Sequence, residues 1–598
     1  MSVMRKLTRE AHSIRIAPAR SRRIVWVLAT LQTLMFIGVS ILYPPMQNPD
    51  EPAHIDMVLA YRHGEWLLDP GGRQFQIGVL KINHDIPNFA RLPHLGDKEP
   101  LRYSQRPSFD QLGTAPGGLL PNQMVEHPPA YYILAAGFTY LTPWYDSFRF
   151  DVQVFILRLL SMLLLLPVPI LLFRMGVRLT GSSSIGMVAA IALLFNPTYL
   201  RMGASVTNDS LLMLLGTVLF AGLSKVVTGS MSTRTAATIG VAWGLGLLTK
   251  GLMLVVPPVI LLAYWAGRSS ARTAVRSAAL SVAVGGLIGG WWWFRNLVAF
   301  GSVQPNGFGP AFGPDRLYGR DRPGGTIEKF ADTFTHLFLR RLWGTLGLLD
   351  GPRLSDWLTI GLAIGCMIVM AGGLVIGFRR TRRRWSSGLA LSTAPILVIG
   401  LAAYGSYQVY IKKLVFPGVQ IRYVLPFAGG LLVAVGVCFA FALRSRRHWA
   451  PLTVFILMIG WSTVWTEHVI LQKLSPDVPG LWARFVGGWR YASGWAPWPR
   501  PVSALLAAGL VASAAWVLVE LVRWARLERP QSGRRTSAGS AGGRAFGELG
   551  AAVPSVVSEL AASEVVGPDV RLPNGLVAKA GADGGDGDRG STSRGSSS

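Results

Sequence analysis

The chain has 598 residues, of which 50% are hydrophobic and only 15% charged, and its mean hydropathy is +0.37. A soluble chain carries roughly 25% charged residues, so this composition excludes one large soluble core and points to the membrane. The net charge of +27 sits in short clusters between apolar runs, which fits cytoplasmic loops and excludes a nucleic-acid groove. The two cysteines, Cys366 and Cys438, both lie in apolar runs. They exclude a disulfide framework and a Cys-ligated zinc site.

Residues 1–23 form a basic N-terminus, with seven Lys/Arg from Arg5 to Arg23. The run 24–44 follows. It is long enough to span, at about 20 residues per crossing, and too long for a signal peptide. Further runs lie at 152–173, 185–203, 210–228, 236–266, 277–298, 356–378, 386–404, 422–443, 450–468 and 501–523. Basic clusters between them, such as Arg379 to Arg384 and Arg444 to Arg447, mark cytoplasmic turns. The run 236–266 has cytoplasmic charge at both ends, so it is read as a hairpin with its tip at Thr249-Lys250-Gly251. The stretch 128–143 is too short to span and reads as a re-entrant or tilted helix. The spacing predicts an all-α polytopic membrane protein of about twelve spans plus that short helix. The transmembrane domain covers 24–525, and both termini are expected in the cytoplasm. The loops 45–127, 299–355, 405–421 and 469–500 are the long outer ones, the first two the longest, and the Gly/Ser-rich tail 526–598 reads as disordered. The second of these loops contains PNGFGPAFGP, a segment that either gates substrate access or merely connects. No internal repeat is seen, which counts against a transporter built from inverted repeats.

The first outer loop holds ten of the 31 acidic residues and five of the nine histidines. It opens with Asn48-Pro49-Asp50-Glu51-Pro52-Ala53-His54. On a helix started by that proline, Asp50 and His54 share a face at i, i+4. Such a pair either ligates a divalent cation or positions a general base; the alternative is an acidic helix cap. The loop closes with Glu126-His127-Pro128-Pro129, a carboxylate and a histidine before a helix start, which is a natural anion site. Its alternative is an interfacial anchor with Tyr131 and Tyr132 in an aromatic belt. Further polar residues fall at expected outer helix ends: Asn208-Asp209, Lys250, Arg295-Asn296, and Gln420, Arg422 and Tyr423. Ionisable groups beside a span are functional candidates, with snorkelling or capping as the plain alternatives. Carboxylates and cations meeting in one outer cavity would suit transfer from a lipid-linked sugar phosphate. A divalent ion is a further expected element. No P-loop, G-x-S-x-G or H-E-x-x-H motif occurs.

PDEPAH after the first span, EHPPAYY, NPTYLRMGASVTND, LLTKG and VQIRYVLP together resemble the GT-C superfamily of polytopic glycosyltransferases. More narrowly, PDEPAH with VQIRYVLP resembles the predicted membrane proteins of domain of unknown function 2142. The resemblance covers about residues 24–470. It implies a polyprenyl-phosphate sugar donor and transfer outside the cytoplasm, usually with inversion. It implies Asp50 as base with Glu51 beside it. It also implies Glu126, His127, Lys250, Arg422 and Tyr423 at the donor phosphate. The ligands for a metal, Mg or Mn, would be Asp50, His54 and Asp209. His127 stands where a lysine is common, and Ile421 where glycine is usual. The expected function is an inverting membrane glycosyltransferase of a bacterial plasma membrane, hexosyl- or pentosyl-transferring. Its acceptor would be an envelope glycan, glycolipid or surface protein, and its partners would be the bilayer and the donor but no nucleic acid. A flippase for a lipid-linked saccharide and a non-catalytic assembly partner are the alternatives. The Gly/Ala/Arg-rich composition is consistent with an actinobacterial wall polymer.

Overall fold

The computed structural model describes residues 19–86, 99–268, 270–343, 355–380, 382–466 and 479–527. The expected tail beyond Leu527 and the basic stretch before Ala19 lie outside these residues, as does the end of the second long loop at 344–354.

The expected apolar runs are helical, several of them in more than one helical piece. In chain order they begin with α1 (Ala19–Leu42), then α2 (Glu51–Arg62), which is not a span, and α3 (Ala130–Tyr140). Next come α4 (Phe150–Leu165), α5 (Val168–Thr180), α6 (Ser183–Ala192), α7 (Pro197–Gly203) and α8 (Asn208–Val227). The middle of the chain gives α9 (Thr233–Leu247), α10 (Val256–Gly267), α11 (Ala271–Gly285) and α12 (Trp291–Phe300). After these come α13 (Ile327–Trp343), α14 (Asp356–Arg380), α15 (Arg382–Lys413) and α16 (Gly429–Ala442). The last are α17 (Ala450–Trp465), α18 (Leu481–Ala492) and α19 (Arg500–Leu527). Among the described residues seven helices are long and apolar enough to cross a membrane, or nine if each of two bent pairs is one span. The figure falls below twelve because α9, α10 and α17 have 15, 12 and 16 residues. The hairpin at 236–266 is present: α9 and α10 are its arms, joined through Lys250 and a 3₁₀ turn at Gly251–Val255. The short helix expected at 128–143 is α3, of 11 residues.

Small residues let helices close in where no hydrophobic drive separates helix from lipid. A methyl at Gly244 would meet the Gly285 carbonyl at 2.8 Å, and one at Gly240 would meet the Ser281 carbonyl at 2.7 Å. Two of the apolar stretches are sharply broken. The chain turns by 80° between α6 and α7, at Asn196-Pro197. It turns by 77° between Ile421–Phe427 and α16. Proline cannot donate to a helix ladder, and both breaks hold one: Pro197 and Pro426.

The first long loop packs on the same end of the bundle. Helix α2 is almost wholly buried, and a small antiparallel ribbon, β1 (Gln74–Gln76) with β2 (Pro116–Pro121), lies beside it. Asp56, fully buried, fastens the two. It accepts from Arg73 Nε at 2.9 Å, the Gln76 amide at 2.8 Å and Asn122 Nδ2 at 2.8 Å. Glu51 ties α2 to the bundle. Its carboxylate takes Arg158 Nε at 2.8 Å and Nη2 at 2.7 Å, and the Val206 amide at 3.0 Å. Arg158 also donates to the carbonyls of Ser40, Tyr43 and Pro44, at the open end of α1.

Both members of that pair are buried, so removing one leaves an uncompensated charge. Arg158→Met is expected to destabilise the protein by about 3–5 kcal/mol, read as a lower unfolding midpoint in lipid nanodiscs. Glu51→Gln added to Arg158→Met should recover part of the loss. An unchanged midpoint for Arg158→Met would show that the pair does not hold the loop.

Candidate active site

Asp50 stands immediately before α2 with φ +59°, in the left-handed region. Asp tolerates that region better than most residues. Its carboxylate makes no helix-capping bond. Instead Oδ2 accepts from Arg422 Nη2 at 2.6 Å. Among the described residues Oδ1 accepts no hydrogen bond, and the side chain is 18% exposed. The alternative of an acidic helix cap is therefore not met, and among the described residues one carboxylate oxygen carries no hydrogen bond.

Arg422 comes from the broken stretch before α16 and reaches two carboxylates. Its Nη1 lies 3.4 Å from Asp209 Oδ2, and its Nε is buried without a partner. Asp209, in the first turn of α8, also accepts from Lys250 Nζ at 2.6 Å. Lys250, at the hairpin tip, sits 5.0 Å from the centre of the Tyr423 ring, a favourable cation–π placement. Asn208 Nδ2 donates to the Thr249 carbonyl at 3.4 Å and holds the tip against α8. Arg201, on α7, lies beside Tyr43 and in the field of Asp50 and Arg422. Cations thus outnumber carboxylates in this cluster, and a buried excess of positive charge favours an anion.

The remaining expected residues divide. Glu51 is adjacent in sequence but faces Arg158, away from open space. His54 Nδ1 is 3.0 Å from the Tyr132 hydroxyl, and its ring stacks 6.4 Å from that of His127. Burial pushes the His54 imidazole down to about 3 and that of His127 well below its ordinary value. Both rings are neutral at pH 7, so neither histidine adds positive charge to the site. Arg422 contacts both Asp50 and Asp209, and among the described residues the ligand atoms of Asp50, His54 and Asp209 do not all lie within 4.8 Å of one another. The one group of ligand-type atoms within 4.8 Å of one another, among the described residues, is His63, Asp110 and Asp146. There Asp146 is already held by Arg62 through both oxygens at 2.6 Å. Arg295 pairs with Asp69 at 2.7 Å and takes no part in the cluster. Sequence reasoning passed over Arg201 and Arg158. The available signal was an arginine inside an apolar stretch in each case.

The Gly/Pro segment of the second long loop lies over the first. The Gly71 amide donates to the Gly307 carbonyl at 3.0 Å. Glycine is required at Gly309, where φ is +82° and a methyl would meet Gly71 Cα at 2.8 Å. The Gly307 amide also lies near the Glu126 carboxyl. On its far side this segment is held by Lys413, which pairs with Asp315, and with Asp321 at 2.6 Å.

Burial raises the Glu126 carboxyl from 4.5 to about 7, against the opposing pull of the Gly307 amide and Lys250. The folded state therefore holds this proton more tightly than the unfolded chain. Its contribution to stability is full below about pH 4.5 and is lost as pH rises toward about 7. Glu126→Gln should flatten that part of the unfolding-midpoint profile, and Lys250→Met should move the wild-type decline to higher pH. A Glu126→Gln profile parallel to wild type would contradict the shift.

The sequence matches the family model described as predicted membrane protein (DUF2142) over residues 33–431. No curated protein matches the chain. Solved structures similar to it include ArnT from Cupriavidus metallidurans in the apo state, at 16% identity and TM-score 0.43, over 85% of this chain and 76% of that one. The same protein bound to undecaprenyl phosphate gives 15% identity and TM-score 0.41, over 84% and 78%. The oligosaccharyltransferase of Archaeoglobus fulgidus in its apo form gives 9% identity and TM-score 0.37, over 79% of this chain and 56% of that enzyme. The family match spans about two thirds of the sequence, and the chain belongs to the DUF2142 family of predicted membrane proteins.

Proposed function

We propose that the chain is an inverting membrane glycosyltransferase that moves a sugar from a polyprenyl-phosphate donor to a hydroxyl of a bacterial cell-envelope acceptor, on the extracytoplasmic side. The observation that carries this reading is Asp50: an ionised carboxylate with one oxygen free of hydrogen bonds among the described residues, beside a cluster of cations at the loop end of an apolar bundle. Burial raises its pKa, but the Arg422 guanidinium outweighs that and holds the carboxyl below its ordinary value. It is thus ready to accept a proton at neutral pH.

The donor's two halves have matching surroundings. A groove of about 660 Å³ runs between α1, α17, α18 and α19, lined by side chains such as Met35, Leu42, Leu200, Trp461 and Leu510. Leu42 and Leu200 of this groove are followed in sequence by Tyr43 and Arg201, which lie beside each other at the cluster. An isoprenoid chain in the groove would bring its phosphate to Arg201, Arg422 and Lys250. Asp209 then serves to place the two cations it bridges.

In the reaction, Asp50 takes the proton of the acceptor hydroxyl as that oxygen bonds to the anomeric carbon. The bond from that carbon to the phosphate oxygen breaks on the opposite face, and the phosphate leaves with the electron pair. The cations stabilise the charge as it develops there. Glu51 acts through position, by holding the start of α2 against Arg158. No step of this scheme runs through a metal ion; Arg422 contacts both Asp50 and Asp209.

The test is transfer of labelled sugar from polyprenyl-phosphate monosaccharides by the full chain in nanodiscs, wild type against Asp50→Asn. The expected fall in turnover is about 10²–10⁴-fold, with donor binding kept. Equal turnover by the two proteins would remove Asp50 from the chemistry. Donor that crosses the bilayer of vesicles without transfer, at the same rate in both proteins, would replace the reading with a flippase.

A further inference from the structure

A second polar cleft lies between the 99–106 stretch and the chain from Gly487 to Arg500, with a volume of about 750 Å³. Its floor is fixed. Arg106 is buried and donates to Asp151 Oδ2 at 2.6 Å, and to the carbonyls of Leu101 and Ala496 at 2.7 and 3.1 Å. The ring of Tyr103 lies against the guanidiniums of Arg106 and Arg149, at 4.7 and 4.4 Å. The Tyr103 hydroxyl donates to the Trp498 carbonyl, and Arg149 to that of Pro497. Its rim is uncommitted. Arg102, Arg490 and Arg500 are exposed and have no acidic partner among the described residues, and Glu99 is the one acid in the lining.

We infer that this cleft binds an anionic saccharide, bearing carboxylate or phosphate groups, that arrives from the aqueous side. Guanidinium forks match the paired oxygens of either group. The cleft offers donors, while the lining carbonyls of Leu101, Tyr103, Gly494 and Pro499 already accept hydrogen bonds. A sugar hydroxyl can turn to accept, whereas a peptide N–H cannot. A saccharide therefore fits better than an acidic peptide. Helix α18 separates the cleft from the apolar groove. Leu481, Trp482, Phe485 and Trp489 line the groove, and Gly487, Arg490 and Tyr491 line the cleft. A lipid whose tail lies in the groove would have this helix between its chain and the rim arginines. As a binding site the cleft stands independently of transfer; as the acceptor's docking site it rests on the transferase reading above.

The test uses the full chain in nanodiscs of neutral phosphatidylcholine and fluorescein-labelled hexagalacturonate, followed by anisotropy at low salt. Wild type should bind it, with an affinity that falls as salt rises. Arg490→Glu with Arg500→Glu should weaken binding about tenfold or more, and Arg102→Glu with Arg490→Glu similarly. These side chains are exposed, so the variants should elute and unfold as wild type does. Asp50→Asn should bind the probe as wild type does, which separates this site from the transfer chemistry. Equal binding of labelled maltohexaose or hexaglutamate would overturn an anionic-saccharide site. So would binding that survives both double variants. Loss of binding in discs containing phosphatidylglycerol would assign the cleft to a lipid headgroup instead.

Discussion

The site depends on one guanidinium shared by two carboxylates. Arg422 contacts Asp50 with one nitrogen and Asp209 with the other. An apolar bundle cannot hold any of these charges alone, because desolvating a single ion costs several kcal/mol. Three segments far apart in sequence are therefore bound to one geometry: the start of α2, the start of α8 and the break before α16. Lys250 extends the network to a fourth, the hairpin tip, through the same Asp209. Each charge explains why the next is tolerated. The arrangement also leaves the network incomplete in two places, one oxygen of Asp50 and the Nε of Arg422.

Broken helices make this meeting possible. A continuous span would bury its backbone polar groups in its own ladder and carry its side chains along one axis. At Asn196-Pro197 and near Pro426 the chain turns sharply instead. Arg201 and Arg422 sit within a few residues of those turns, where side chains can point into the cluster. Asn196 shows how the first break is closed: its side chain accepts from the Tyr199 amide at 3.1 Å and caps the short helix after the turn.

Much of this was legible in the sequence, and what was not has a physical cause. Span positions follow from long apolar runs, and the hairpin at 236–266 follows from the placement of basic charge. That Asp50, Asp209, Lys250 and Arg422 would come together follows from their shared position at helix ends. Which of them pair does not follow, because pairing is set by tertiary approach across up to 372 residues. Asp50 and Glu51 illustrate the limit. They are neighbours of like charge, and helix-cap rules treat both as stabilising the first turn. The backbone at φ +59° sends Asp50 toward Arg422, while Glu51 turns to a buried Arg158 that periodicity alone reads as an ordinary span residue. The histidines show a different limit. Spacing makes His54 a plausible ligand, but its state is decided by burial and by the Tyr132 hydroxyl, neither of which is local in sequence.

Under the transferase reading, the same shared guanidinium links donor binding to the strength of the base. With no ligand, Arg422 stabilises the ionised form of Asp50 and so makes it a weak base. A donor phosphate brought among Arg201, Lys250 and Arg422 would compete for that positive charge. Every part of the guanidinium's interaction drawn to phosphate oxygens is taken from Asp50, whose proton affinity must then rise. The unpartnered Nε of Arg422 offers the phosphate a donor without first breaking an existing bond. Asp209 limits how far the cations can follow, since it holds Lys250 at 2.6 Å and Arg422 at 3.4 Å. The base would thus be strongest when the donor is in place and weakest when the site is empty. That coupling requires no moving domain, only one arginine that cannot fully satisfy two anions at once.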